Sequence, residues 1–360
     1  MKKCTLVLAY AALLSTSHAY AHVSQLAGNT SPPISPDSHA PIGVMGDHLH
    51  KQGEWMISYR FMQMRMENNI QGSHALSPDE IVTQISNPNA PPPTVRVVPV
   101  NMTTDMHMLG AMYAPSDTVT LMLMLNYLQK EMDHKTYMGM TGSTQLGEFT
   151  TRSNGLGDTK VTALWRLLDQ NQHKIHLNLG LSLPTGSTDE TDEVLSPMNT
   201  RPTLRLPYAM QLGSGSYDLE PGITYTGHQN RLGWGAQFLA TVRLGDNDED
   251  YNLGDKQHVT GWGTYRVSNW SSLSLRLSYT HEATIDGIDS HITAPVTTAN
   301  PENYGGNRWD LGFGVNVVGQ DNALRGHRLA LEYQSTIDQD ANGVQLEMQS
   351  MLTLGYQYAF

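Results

Sequence analysis

From about residue 54 onward, the chain alternates apolar and polar residues with a period of two. In 173–183, Ile175, Leu177, Leu179, Leu181 and Leu183 alternate with His176, Asn178, Gly180 and Ser182. In 271–281, Leu273, Leu275, Leu277 and Tyr279 alternate with Ser274, Arg276, Ser278 and Thr280. In 307–318, Trp309, Leu311, Phe313, Val315 and Val317 alternate with Arg308, Asp310, Gly312, Gly314 and Asn316. In 345–360, Leu346, Met348, Leu352, Leu354, Tyr356, Tyr358 and Phe360 read as one face. Alternation over this length marks strands with one apolar face. Weaker versions near 54–66, 101–114, 118–130, 156–168, 216–228, 231–244, 256–267 and 327–337 bring the expected number to twelve. Residues 22–53, rich in Pro, Ser, His and Gly, show no period.

A soluble β-sandwich would also alternate. These strands, however, run to about ten residues, longer than the usual five or six and long enough to cross a bilayer at a tilt. Trp55, Tyr113, Tyr127, Tyr225, Trp234, Tyr279, Trp309 and Tyr333 sit near strand ends on the apolar face, where interfacial aromatics belong. Short connections (115–117, 169–172, 229–230, 268–270, 320–326) alternate with mostly longer ones (67–100, 131–155, 184–215, 245–255, 283–306 and the shorter 338–344). Tight periplasmic turns and long external loops follow this rule in outer-membrane barrels. The expected fold is therefore all-β: a transmembrane antiparallel up-and-down barrel of about twelve strands, with both termini periplasmic.

The first 21 residues read as an export signal. Lys2 and Lys3 precede a short apolar stretch, Thr5–Leu14, and Ala19-Tyr20-Ala21 offers small residues for cleavage before His22. The expected organisation is a signal peptide over 1–21, an irregular periplasmic or plug segment over 22–53, and the barrel over 54–360. The longest later apolar run, Leu121–Leu125, is strand-sized, so helices are not expected to hold the protein in a membrane. A mean hydropathy of −0.37 does not oppose a barrel, because only alternate residues face lipid.

The net charge is −12, and losing 1–21, with two lysines and no acids, makes it −14. This excess of negative charge speaks against nucleic-acid partners. The single cysteine, Cys4, lies in the signal, which leaves the mature chain without disulfides, thiolate metal sites or a cysteine nucleophile. No Gly-x-Ser-x-Gly elbow is present, and no enzyme activity is expected.

At this point a family resemblance emerges. Gly155-Leu156-Gly157-Asp158 opens a strand, Leu183-Pro184-Thr185-Gly186 leaves one, Leu219-Glu220-Pro221-Gly222 enters one, and Leu354-Gly355-Tyr356-Gln357-Tyr358-Ala359-Phe360 comes last. With these motifs, residues 155–360 resemble the outer-membrane barrels labelled as MetA-pathway-of-phenol-degradation proteins, often called simply transporters. The first 150 residues, with Gly43-Val44-Met45-Gly46-Asp47-His48-Leu49-His50, look like a subgroup feature. The resemblance implies a passive outer-membrane transporter and supplies no catalytic residues.

Thirteen of the 19 methionines lie between Met56 and Met140. The strand phase turns Met62, Met64, Met106, Met108, Met122 and Met124 toward the lumen, with His48, His50 and His107 near in sequence. Thioethers suit Cu(I), so copper is one expected ligand of this wall; apolar packing against a plug is the other reading. The same phase turns Arg166, Arg243, Arg266, Arg276, Arg308, Arg328, Asp310 and Glu332 inward, as a transverse field or a filling network. Two acidic runs, Asp189–Glu193 and Asp246–Asp250, are candidate holders of Ca²⁺ or Mg²⁺ at a lipopolysaccharide surface. Tyr356, Tyr358 and Phe360 resemble the signal read by the barrel-assembly machinery. The expected activity is passive passage of a small solute across the outer membrane. The pore is expected to be narrowed by 22–53 and the loop 67–100, with a non-conducting barrel as the remaining alternative.

Overall fold

The computed structural model describes residues 35–321 and 323–360. The expected signal peptide and residues 22–34 lie outside them. Numbering only the wall, the strands are β1 (Trp55–Gly72), β2 (Val97–Ser116), β3 (Val119–Tyr137), β4 (Gln145–Leu156), β5 (Thr159–Gln170), β6 (His173–Leu183), β7 (Asp218–Gln229), β8 (Leu232–Arg243), β9 (Lys256–Arg266), β10 (Ser271–Glu282), β11 (Gly306–Val318) and β12 (His327–Ala359). Each pairs antiparallel with its neighbours, and β12 pairs with β1, so the sheet closes on itself. Both β4 and β5 pair with β3, one with Tyr127–Tyr137 and the other with Val119–Met124, and together they make one crossing. The long β12 doubles back. Its first half pairs with β11 and its second with β1, Ala359 N donates to Gly326 O at 3.0 Å, and Met348 N donates to the Gln339 side chain at 3.0 Å. The wall therefore has twelve crossings, an all-β closed antiparallel barrel as expected.

Two physical environments explain the wall. In its lower part, nearest the short turns, apolar side chains point outward: Leu109, Leu121, Leu123, Leu125, Leu273, Leu275, Leu277, Phe313 and Val315 are exposed. Polar ones point inward: Ser272, Ser274, Arg276, Ser278 and Thr280 of β10 are buried, as are His176, Asn178 and Ser182 of β6. Such an outer belt suits lipid, and such an interior suits a lumen. Trp55 meets Tyr113 at one rim of the belt, and Tyr279 meets Trp309 higher up.

Above the belt the polarity inverts. On β3, Met132 and His134 are buried while Glu131 is exposed and Asp133 and Lys135 are partly so. The strands continue beyond the membrane-facing zone with water outside and apolar packing inside. Much of 131–155, and both ends of 67–100, expected as loops, are therefore strand. A bulge also corrects one face. Register shifts near Arg65/Met66 and Glu67/Asn69 break the phase against β12. Leu354 and Tyr356 point outward, whereas Met348 is buried and Leu346 packs beside Met102 and Met132.

The long-loop end is capped. Residues 283–305 contribute Ile285, Ile292, Val296 and Ala299 to a cluster with Val97, Tyr208 and Tyr251. Leu206 and Met210, from 184–217, pack on Met102 and Met132. The helix α1 (Pro78–Gln84) starts at Ser77, whose hydroxyl accepts from Glu80 N while Glu80 caps Ser77 N in return. Its Ile81 and Val82 pack on Val95, Val98, Tyr137 and Val344 at the rim. The cap thus comes from 184–217 and 283–305, whereas only 67–100 was expected to restrict the pore among the loops. Among the described residues, no helix is long and apolar enough to cross a membrane.

Candidate functional site

The lumen is filled at its short-turn end by residues 35–53. The wall holds this segment mainly by its backbone. Pro36 O accepts from Ser272 Oγ at 2.7 Å, and Asp37 O from Thr264 Oγ1 at 2.8 Å. Ala40 O accepts from Arg328 at 2.6 Å, and Gly43 N donates to Glu332 at 2.8 Å. Met45 O accepts from Gln237 at 2.9 Å and Gly46 O from Asn178 at 3.1 Å. His50 N and Gly53 N then donate to Thr120 Oγ1 and Ala114 O. The segment turns at Pro41–Val44, closed by Val44 N to Pro41 O at 3.0 Å. Gly46 takes φ +62°, where a Cβ would meet Asn178 Nδ2 at 2.8 Å; only glycine adopts this conformation freely this close to the wall.

Some of the inward charges hold this plug in place, and others pair within the wall. Arg276 and Glu332 form a buried pair at 2.7 Å, 5% and 1% exposed. Arg328 also donates to Asn316 and Gln357. Arg266 reaches Asp37 at 3.7 Å and Arg166 reaches Asp169 at 3.4 Å. Nearer the long loops, Arg308 pairs with Asp310 at 3.1 Å and Arg243 with Asp218 at 2.5 Å. All eight charges assigned inward from the sequence lie on β5 and β8–β12.

The methionines line β1–β3 in cross-strand rows. Met56, Met112 and Met122 form one, Met62 and Met106 with Leu128 another, and Met348, Met66, Met102 and Met132 a third. Leu49 of the plug packs against the first row, with Leu164. Met210 of the cap packs against the third. Met64 pairs with Met351 across the β1–β12 seam; Met108 and Met124 are buried. His107 requires a correction: it lies on the outer face, with Tyr59 Oη at 2.8 Å and Phe61 and Tyr127 around it. Its odd position on β2 puts it in phase with Leu109, so it drops out of the lumenal set.

The histidines of the plug gather instead with residues the sequence did not single out. His39 lies edge-on to His48 with ring centroids 5.1 Å apart, and His48 to His50 at 4.9 Å. Asp47 accepts from Ala40 N at 3.0 Å and bonds His48 Nδ1 at 2.7 Å. Burial, and then the Arg328 charge, hold the His39 imidazole well below its ordinary pKa. Burial holds His50 down to about 3. Burial opposes the Asp47 carboxylate, but His48 and Arg328 outweigh it and keep its pKa well below the usual range. A cavity of about 110 Å³ adjoins this cluster, between the plug and Arg166, Lys174, His176, His228, Trp234 and Trp262 of the wall. His48 and His50 were singled out from the sequence; Asp47 and His39 were not, and only the turn at Pro41–Val44 brings His39 back.

In the loops, Glu249 of the second acidic run meets Arg205 at 3.0 Å and His291 at 3.3 Å. Glu193 of the first meets Arg201 at 3.2 Å. At the last strand, Tyr358 stacks between His327 and Phe360, and Tyr356 Oη meets His327 Nδ1 at 2.6 Å.

No protein-family profile and no curated protein matches the chain. Solved structures do. The chain is similar to the COG4313 outer membrane channel from Pseudomonas putida F1, with 14% identity and a TM-score of 0.56 over 88% of this chain and 99% of that one. A Pseudomonas aeruginosa FadL homologue matches at 9% identity and TM-score 0.45, covering 91% and 98%. A monoaromatic hydrocarbon channel, TodX, in a deletion form, matches at 11% and 0.44, covering 86% and 90%. The first of these likenesses, with the closed ladder, establishes the fold as that of an outer-membrane β-barrel.

Proposed function

We propose that the protein is an outer-membrane channel that passes a small solute without energy input of its own. One observation carries this reading: a closed barrel with an apolar outer belt encloses a polar, charge-lined lumen, and the chain's own residues 35–53 occupy that lumen with many hydrogen bonds to its polar wall. A wall built only as a scaffold would gain more from an apolar interior, since buried polar groups contribute little net stability. Twelve crossings also place the bore between barrels filled by side chains and wide open pores. The COG4313 protein is described as a channel, which agrees with this reading. The short-turn end is then periplasmic, and the cap external.

Purified protein in planar bilayers should give small, steady single-channel steps. Absence of conductance both in the parent and in a variant lacking 35–48 would reject the proposal and leave a structural barrel. For orientation, an epitope inserted at Asp246–Asp250 should label intact cells. One at Asn230, in the exposed β7–β8 turn at φ 57°, should label only after permeabilisation; surface labelling at Asn230 reverses the topology.

The methionine wall has a separate test. Leucine keeps the volume and drops the sulfur, and each such swap usually costs less than ~1.5 kcal/mol. Replacing Met62, Met64, Met106, Met108, Met122 and Met124 together by Leu should leave heat-modifiable migration intact. If thioethers ligate Cu(I), copper bound under reducing conditions falls with the swap. Equal copper in parent and variant makes the rows packing surface only.

A further inference from the structure

We propose that the plug carries a binding site for a divalent transition ion, Zn²⁺ or Cu²⁺, formed by His39, Asp47 and His48, with His50 beside them. Each of the first three offers a ligand atom, and these atoms lie within 4.8 Å of one another. Two imidazole nitrogens and a carboxylate oxygen form a borderline donor set, suited to Zn²⁺ or Cu²⁺ rather than to Ca²⁺ or Cu(I). The donor set contains no thioether and does not rest on the channel reading.

A second observation points to a ligand. His39 Nδ1 and His50 Nε2 are buried, and neither has a hydrogen-bond partner; His50 is 6% exposed. A buried polar atom left unpaired costs about 1–3 kcal/mol, and here two come from rings on either side of His48. A coordinated ion would satisfy a nitrogen of His39, while His50 lies outside the three-residue cluster. Asp47 Oδ2 holds Ala40 N while Oδ1 holds His48 Nδ1, so the carboxylate is oriented on both sides, as ligating carboxylates usually are. The neighbouring cavity is lined also by Gln172, Lys174 and His228 near the short-turn end.

The geometry also assigns a consequence. His39 and His48 flank the turn over Pro41–Val44, so an ion joining them closes the loop that seats Gly43 on Glu332 and Ala40 on Arg328. The ion pins the plug in its seated shape.

The test uses untagged mature protein in detergent, stripped with a chelator and titrated calorimetrically with Zn²⁺. The variants are His39→Ala with His48→Asn, and His291→Ala. Asparagine keeps an amide donor toward Asp47, which preserves the turn. The His291 change removes the other candidate cluster among the described residues, Glu249–Asp289–His291. We expect one equivalent bound in the parent and in His291→Ala, and at least tenfold weaker binding in the double variant. With Cu²⁺, the parent's electron paramagnetic resonance spectrum should show nitrogen coupling that the double variant loses. Absence of binding in the parent, equal binding in all three, or loss confined to His291→Ala would each overturn the proposal.

Discussion

A variant lacking residues 35–48 should keep its barrel and open its lumen. The wall does not depend on the plug for its ladder, because every strand pair, the β1–β12 seam included, is made within the wall. The polar side chains that now bind the plug would be solvated by water entering behind it. The mature chain is expected to be free of thiols, so a single Ser274→Cys reports this cleanly. Ser274 is buried on the inner face of β10, two residues from Ser272, which bonds Pro36 O. In the intact protein a water-soluble maleimide reaches such a site only through local opening. Deletion should speed its labelling at least about tenfold, and the single-channel steps should grow with it. Unchanged labelling would mean that the plug does not seal this part of the lumen.

The second large effect concerns Glu332. Its carboxylate joins Arg276 at 2.7 Å and Gly43 N at 2.8 Å, and all but 1% of it is buried. Glu332→Ala strands a buried guanidinium and frees the plug turn. Removing one partner of such a pair costs about 3–5 kcal/mol, and water entering the lumen puts the expected loss at the lower end. The thermal unfolding midpoint in detergent should fall clearly, with faster labelling at Ser274→Cys. The double replacement Arg276→Met with Glu332→Leu removes both charges at similar volume. Such swaps are often neutral or stabilising, so it should recover the midpoint while leaving the plug loose, since Gly43 N still lacks its acceptor. Recovery of both properties would show that Gly43 does not need Glu332. A midpoint unchanged in Glu332→Ala would show that the pair is solvated.

The lower wall was legible because lipid imposes a strict rule on alternate residues. Leu273-Leu275-Leu277 and Val315-Phe313-Leu311 follow it without exception. The upper wall was not, because above the belt the apolar side turns inward: Met132 and His134 occupy the phase that Met122 and Met124 hold, but their outward neighbours change from Leu to Glu and Asp. That change in polarity reads as the end of a strand when only the outer solvent has changed. Leu346 and Met348 failed for a different reason: a bulge inverts every later side chain, and nothing local in Ser350 or Gln349 announces it. The inward arginines were legible from phase alone; what they bind was not, since the plug contacts join residues far apart in sequence, as from Gly43 to Glu332. His107 illustrates the opposite error, in which nearness in sequence to lumenal methionines outweighed its own odd position.

The seam between β1 and β12 joins sixteen residue pairs that lie roughly 270–300 positions apart. Contacts of that span carry the heaviest chain-closure entropy and form slowly. Until they form, the sheet has two bare edges, each with unsatisfied backbone groups and an apolar face. Such an edge is a template for adding a strand from another molecule. The nascent chain is therefore most open to self-association after nearly all its hairpins exist, and its yield is set by how those two edges are kept from strangers before they meet each other.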